Sequence, residues 1–103
     1  MVFANCGTLG VLHGKRDELI AILTRPNSDL SEACCLLYEV GFSDDEPATV
    51  FVAELWESAE AHRASLQLPS VQVAISEAMP LRTGQMGGNG FQVVGSPLSA
   101  AQG

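Results

Sequence analysis

The chain has 103 residues, with twelve acidic against five basic side chains and a net charge of −7. Nucleic acids and anionic membranes bind clustered lysine and arginine, so this balance argues against either as a partner. Hydrophobic residues make up 47% of the chain, which is typical of one globular domain and excludes a disordered segment.

The sequence shows no targeting or membrane signal. No apolar run approaches the ~20 residues that span a bilayer, and the amino terminus lacks a basic segment followed by an apolar one. The three cysteines, with Cys34 and Cys35 adjacent, do not form a disulfide framework. We therefore expect a cytoplasmic protein with reduced thiols. His13 and His62 lie far apart and neither stands at a metal-binding spacing, so no metal or other cofactor is expected.

The first half of the chain alternates strand and helix signals. Period-two alternation predicts a first strand over Val2–Leu12 and a second over Cys34–Phe42, with an amphipathic helix at Lys15–Thr24 between them. The polar run Ser43–Pro47 predicts a hairpin turn after the second strand. Asn5 is a polar residue between apolar neighbours. If it is buried, it must bond to backbone, side chains or a ligand.

The central stretch passes from a strand into a helix and holds the best candidate site. Val50–Trp56 alternates as a strand, and Ser58 predicts the N-cap of a helix that runs to about Gln67. Trp56, the only tryptophan, thus closes a strand, and His62 follows about one turn into the helix. The alternative interpretation is core packing beside a surface histidine.

The predicted orientation of His62 follows from helical spacing. Ala59, His62 and Leu66 are three and four residues apart and therefore share a stripe. Because Ala59 and Leu66 are apolar, this stripe should face the sheet and direct His62 into a cavity. Glu60 and Arg63 take the outer side. The competing view places His62 at the edge of the helix.

The last third contains a second helical segment and a final strand. Ser70 is expected to cap a segment that Pro80 ends, with Ile75 and Met79 on a stripe that is first a core stripe and second a pocket wall. Thr83–Gly90 holds four glycines and is expected to be a mobile connector. The final strand is predicted at Phe91–Val94.

The element order β-α-β-β-α-β predicts a ferredoxin-like α+β fold, with an antiparallel sheet and helices on one face. The first three strands carry apolar residues on both faces, and a sheet that is apolar on both faces needs two covers. A second copy of the chain is the simplest second cover, so a homodimer is expected. The domain should cover residues 1–97, with residues 98–103 forming a flexible tail.

Four segments are informative when taken together: residues 14–19 (GKRDEL), 34–40 (CCLLYEV), 54–62 (ELWESAEAH) and 66–70 (LQLPS). Their combination resembles the antibiotic biosynthesis monooxygenase family, nearest to its quinol monooxygenase-like branch. The resemblance implies a dimeric α+β barrel with a pocket between each sheet and its helices. It also implies oxygenation of phenolic or quinol-type compounds by dioxygen, without metal or flavin.

The resemblance also assigns positions in the pocket. Trp56 matches the family's pocket tryptophan, and His62 falls where the polyketide-anthrone oxygenases place a tyrosine. Asn5 falls where the haem-degrading branch has a first-strand asparagine. The haem ligand of that branch would fall at Ile75, which cannot bind iron.

The chain also departs from the family's pattern. Quinol monooxygenase-like members often carry histidines where Ser65 and Ser70 stand. The anthrone branch has an asparagine and an arginine where this chain has Val52 and Ser76.

Two functional hypotheses follow. In the first, a cofactor-independent monooxygenase acts on a phenolic or quinol-type aromatic compound, with His62 as general base, since histidine changes charge near neutral pH. Trp56 would supply an indole N–H and an aromatic wall, and Asn5 would help orient the substrate oxygen. The expected substrate-binding residues are Tyr38, Leu66, Ile75 and Met79. In the second hypothesis, the dimer binds a small molecule without catalysis, or is an isomerase that uses the same pocket.

Overall fold

Four antiparallel strands form one sheet, and helices pack on one of its faces. A computed structural model describes residues 1–98. The strands are β1 (Phe3–Val11), β2 (Cys35–Gly41), β3 (Thr49–Trp56) and β4 (Arg82–Gln92), and the helices are α1 (Arg16–Leu23), α2 (Ser28–Glu32), α3 (Ala59–Ser65) and α4 (Pro69–Ala78). The strand order β2-β3-β1-β4 confirms the ferredoxin-like α+β fold.

The core lies between the sheet and helices α1 and α4. The register of β1 and β3 places Leu9 opposite Val50, which puts both on the helix side. Val50 and Leu19 are fully buried, and the rest of this cluster is Val11, Ala78 and Leu81. Burial of each large apolar side chain contributes about 1.5–3 kcal/mol.

The other face of the sheet carries apolar side chains that nothing within residues 1–98 covers. Cys6 lies opposite Ala53, and Thr8 lies opposite Phe51. Between them is a shallow hollow of about 450 Å³ with mostly apolar walls. Phe91, on the edge strand β4, is half exposed.

The corner between β3 and α3 follows local sequence signals. The Ser58 hydroxyl accepts a hydrogen bond from the Ala61 N–H at 3.0 Å, which confirms the predicted N-cap. Glu60 in the first turn complements the positive end of the helix dipole. Glu60 and Arg63 form an exposed ion pair at 3.6 Å on the predicted outer side. The N-cap and the first turn of α3, both built from neighbouring residues, therefore determine how His62 is placed relative to Trp56.

The expectation that Ser70 caps α4 is wrong. Leu68 is the N-cap and Pro69 stands at the first helical position, where its missing N–H costs nothing. Ser70 is already within the helix, and its hydroxyl donates instead to Asp29 Oδ2 at 2.7 Å. Helix α4 ends at Ala78, and Pro80 lies in the single 3₁₀ turn, Met79–Leu81, that follows it.

The expectation of a mobile connector at Thr83–Gly90 is also wrong, because these residues belong to β4. They pair with β1 through Gly7–Gly88 and Asn5–Gly90. A Cβ at Gly90 would lie 2.4 Å from the ring of Phe3, so the glycine leaves room for that ring. The final strand therefore begins nine residues before the predicted Phe91 and ends at Gln92.

Residues 99–103, which hold most of the predicted tail, lie outside the described part of the chain. Within residues 1–98, no helix has both the length and the apolar character that crossing a membrane requires.

Candidate active site

A cavity of about 640 Å³ lies between the helix side of the sheet and the helices. Tyr38 and Val52 reach it from the sheet, and Leu66, Val71 and Ile75 reach it from the helical side. Its volume falls within the ~300–1,000 Å³ that small-molecule pockets occupy. The walls are mainly apolar, so the few polar groups that face the cavity define where chemistry can occur.

The most buried of the charged groups at the cavity is Glu54, which is 9% exposed. Its Oε2 accepts a hydrogen bond from Asn5 Nδ2 at 3.0 Å, and its Oε1 accepts one from Trp56 Nε1 at 3.0 Å. A buried carboxylate is costly unless its oxygens are satisfied, and these two donors satisfy one acceptor on each oxygen. Sequence reasoning did not select Glu54. The available signal was its place on the same strand face as the buried Val50 and Trp56.

His62 borders the cavity beside this carboxylate. Its Nε2 lies 3.9 Å from Glu54 Oε1, and only 20% of its side chain is exposed. The imidazole lies near two aromatic rings, with its centroid 5.7 Å from that of Phe3 and 5.6 Å from that of Trp56. The distance of 3.9 Å exceeds hydrogen-bond range, so the pair attracts by charge when the imidazole is protonated.

The other predicted site residues divide into two groups. Asn5, Tyr38, Leu66 and Ile75 border the cavity. Trp56 is 1% exposed and is held behind the cavity wall by its bond to Glu54, so its N–H does not point to a substrate. Placing Met79 on the wall is wrong: it lies past the last turn of α4, is 61% exposed and does not border the cavity.

Polar bonds tie the segment around α2 to α4 at the edge of the cavity. Arg25 donates to both carboxylate oxygens of Glu77, at 3.0 and 3.1 Å. This pair raises the pKa of Arg25 and lowers that of Glu77 through their hydrogen bonds. Asn27 donates to the Ser70 hydroxyl at 3.1 Å. These contacts hold the helical wall in place over the sheet.

Burial raises the pKa of Tyr38 to about 12, and the nearby charges of Glu54 and Cys35 add to the effect. Tyr38 is the only tyrosine, so its ionisation can be followed by absorbance without ambiguity. We expect a midpoint near 12 in the folded protein, against ~10 in denaturant. Because the fold holds this proton more tightly, its contribution to stability is complete below pH ~10 and is lost as pH rises toward the folded value. Tyr38→Phe should remove that loss, and a folded midpoint near 10 would contradict the assignment.

Within residues 1–98, no three histidine, cysteine, aspartate or glutamate side chains group closely enough to hold a metal ion. Glu54 and His62 border the cavity side by side, 3.9 Å apart. Such a pair can accept and hold a proton from a bound ligand.

The fold and the cavity define a ferredoxin-like α+β protein with a ligand-sized pocket between its sheet and its helices. The chain belongs to the antibiotic biosynthesis monooxygenase family, whose model matches residues 3–77. A candidate monooxygenase of this family from Chloroflexus aurantiacus is 35% identical, with a TM-score of 0.81 over 93% of this chain and 96% of that one.

Two further solved structures support the fold alone. A candidate family member from Caulobacter crescentus is 21% identical, with a TM-score of 0.81 over 91% of each chain. One from Deinococcus radiodurans is 24% identical, with a TM-score of 0.75 over 93% of this chain and 95% of that one. Curated protein sequences gave no match.

Proposed function

We propose that the protein is a cofactor-independent monooxygenase that oxidises a phenolic or quinol-type compound with dioxygen. Family membership supports this proposal. The observation that carries it is the pair of His62 and the buried Glu54, 3.9 Å apart, bordering a mainly apolar cavity. A buried base beside an apolar wall is what deprotonation of a phenol requires.

The chemistry needs a base because dioxygen is a ground-state triplet that reacts slowly with closed-shell molecules. A phenolate is electron-rich enough to transfer one electron to it. Recombination of the resulting radicals forms a C–O bond, and loss of water leaves a hydroxyquinone. For a quinol, the balance is one quinol and one dioxygen giving one hydroxyquinone and one water.

Five of the cavity residues have assigned roles in this sequence of steps. His62 accepts the phenolic proton, and Glu54 stabilises the imidazolium that forms. Tyr38 keeps its proton up to about pH 12 and can donate it in a hydrogen bond to a substrate oxygen. Leu66 and Ile75 give the cavity apolar walls, and a substrate bound against them displaces water, which limits the release of reduced oxygen.

Oxygen uptake tests the proposal. Protein freed of metal and flavin should consume one dioxygen per molecule of a reduced naphthoquinone or an anthrone, and the product should carry one oxygen atom from ¹⁸O₂. Formation of hydrogen peroxide with unlabelled quinone would mark a simple oxidase. Uptake no faster than the protein-free blank, together with ligand-induced quenching of Trp56 fluorescence, would favour the small-molecule-binding alternative.

We also propose that the outer sheet face forms a homodimer. Its apolar hollow of about 450 Å³ includes Phe51 and Ala53, and a stable dimer would bury more than ~1,200 Å² in total. Ala53→Arg places a charge at the centre of this face and should convert a sedimenting dimer into a monomer. Leu12→Arg adds the same charge in the turn after β1 and should leave the dimer intact. A wild-type monomer at micromolar concentration would contradict the proposal.

We also propose that the protein is cytoplasmic. Cys6, Cys34 and Cys35 are all free thiols. Free thiols in this number are typical of a reducing compartment.

A further inference from the structure

One cation differs from the others in this acidic protein. The chain has five lysine and arginine residues against twelve acidic ones. Four of the five lie within 4 Å of a carboxylate, in the pairs Lys15–Glu18, Arg16–Asp17, Arg25–Glu77 and Arg63–Glu60. Within residues 1–98, Arg82 is the exception, although acidic residues are abundant.

Arg82 is also incompletely bonded. Its Nε is buried and has no hydrogen-bond partner within the described residues. The Nε of Arg16 is in the same position, but the Arg16 guanidinium stacks 4.1 Å above the Phe42 ring and faces Asp17. A buried N–H without an acceptor is unfavourable, and within residues 1–98 the Nε–H of Arg82 has no oxygen acceptor.

The position of Arg82 connects it to the candidate site. It borders the same cavity as His62 and Glu54. It begins β4 opposite Val11, whereas Glu54 lies opposite Asn5. Six residues along β1 correspond to about 20 Å, so the cation and the His62–Glu54 pair approach the cavity from opposite ends.

We propose that Arg82 binds a carboxylate of the substrate, so that the compound oxygenated is an aromatic acid whose phenol and carboxylate lie at opposite ends of the molecule. The guanidinium presents a planar pair of N–H donors that matches a carboxylate. Glu54 repels the acidic end of the ligand from the His62 end of the cavity. Both effects direct the phenol toward the base. The assignment of substrate class rests on the proposed oxygenase function, whereas carboxylate binding by Arg82 does not.

A matched pair of ligands tests binding separately from turnover. The probes are 6-hydroxy-2-naphthoate and the neutral 6-hydroxy-2-naphthamide, titrated calorimetrically under nitrogen so that no oxidation occurs. A charge-assisted bond of this kind corresponds to a preference of about 10- to 100-fold for the acid in the wild-type protein. Arg82→Gln should abolish that preference while amide affinity stays unchanged, and Arg82→Lys should retain part of it. Arg63→Gln makes the same change in net charge at an exposed site and should retain all of it.

The outcomes separate the two proposals. Equal wild-type affinity for acid and amide, or a preference that survives Arg82→Gln, overturns the carboxylate site. If Arg82→Gln does not fold, the wild-type comparison and Arg82→Lys decide, because a lysine that retains the full preference shows that the arginine fork is not used. An intact acid preference without oxygen uptake overturns the oxygenase and leaves the carboxylate site standing. Oxygen uptake without the preference for the acid overturns the carboxylate site and leaves the oxygenase proposal standing.

Discussion

Replacing His62 by alanine is expected to lower kcat/KM for a reduced quinone or anthrone by about 10²–10⁴-fold, the usual contribution of a general base. The imidazole borders the cavity 3.9 Å from Glu54, which can stabilise its protonated form. Without it, the nearest carboxylate is already bonded to Asn5 and Trp56 and sits deeper in the wall. Oxygen uptake measured across pH 5–8, where histidine side chains change charge, gives the comparison.

His13→Ala is the matched control for this experiment. His13 is the only other histidine and lies exposed in the turn after β1. Its removal should leave the rate unchanged at every pH. If His62→Ala instead turned over substrate like the wild type from pH 5 to 8, His62 would not be the base.

The predictable part of the site is the part that local sequence builds. Ser58 caps α3 by accepting a hydrogen bond from the Ala61 N–H, three residues further along the chain. Helical spacing then brings His62 to the cavity side. The cap and the position of His62 both depend only on residues about one helical turn apart in the sequence. The same holds for the strand periodicity that predicted β3, which the structure places at Thr49–Trp56.

The parts that sequence reasoning missed depend on partners far along the chain. Glu54 accepts from Asn5, 49 positions away, and nothing near Glu54 in the sequence announces that donor. Four of the eleven residues of β4 are glycine, so the strand shows no clear alternation of apolar and polar side chains. Only its pairing with β1 identifies it as a strand. Met79 matched a helical stripe by spacing, but the chain turns into a 3₁₀ helix there and carries the side chain out to solvent.

Gly88→Ala is expected to lower the free energy of unfolding by about 3 kcal/mol, the combined scale of positive-φ strain and overpacking. Gly88 has φ +114°, and a Cβ there would lie 2.1 Å from the Cys6 carbonyl oxygen and 2.4 Å from Gly7 Cα. Both contacts are backbone atoms of the neighbouring strand β1, so they cannot rotate away as a flexible side chain would. The glycine is therefore required for β4 to pair closely with β1 at the edge of the cavity.

A series of three alanine variants, measured by urea unfolding, separates the steric clash from the backbone strain. Gly84 has φ +95° but nothing within 4 Å of its added Cβ, so Gly84→Ala should cost only the strain, about 1–2 kcal/mol. Gly95 has neither feature, and Gly95→Ala should change stability by less than ~1 kcal/mol. Because strain is common to Gly84 and Gly88, the difference between their two losses measures the contact with β1. Equal losses of unfolding free energy at both positions would show that β4 can move away from β1 at no cost. Gly88 would then be required only for its positive φ.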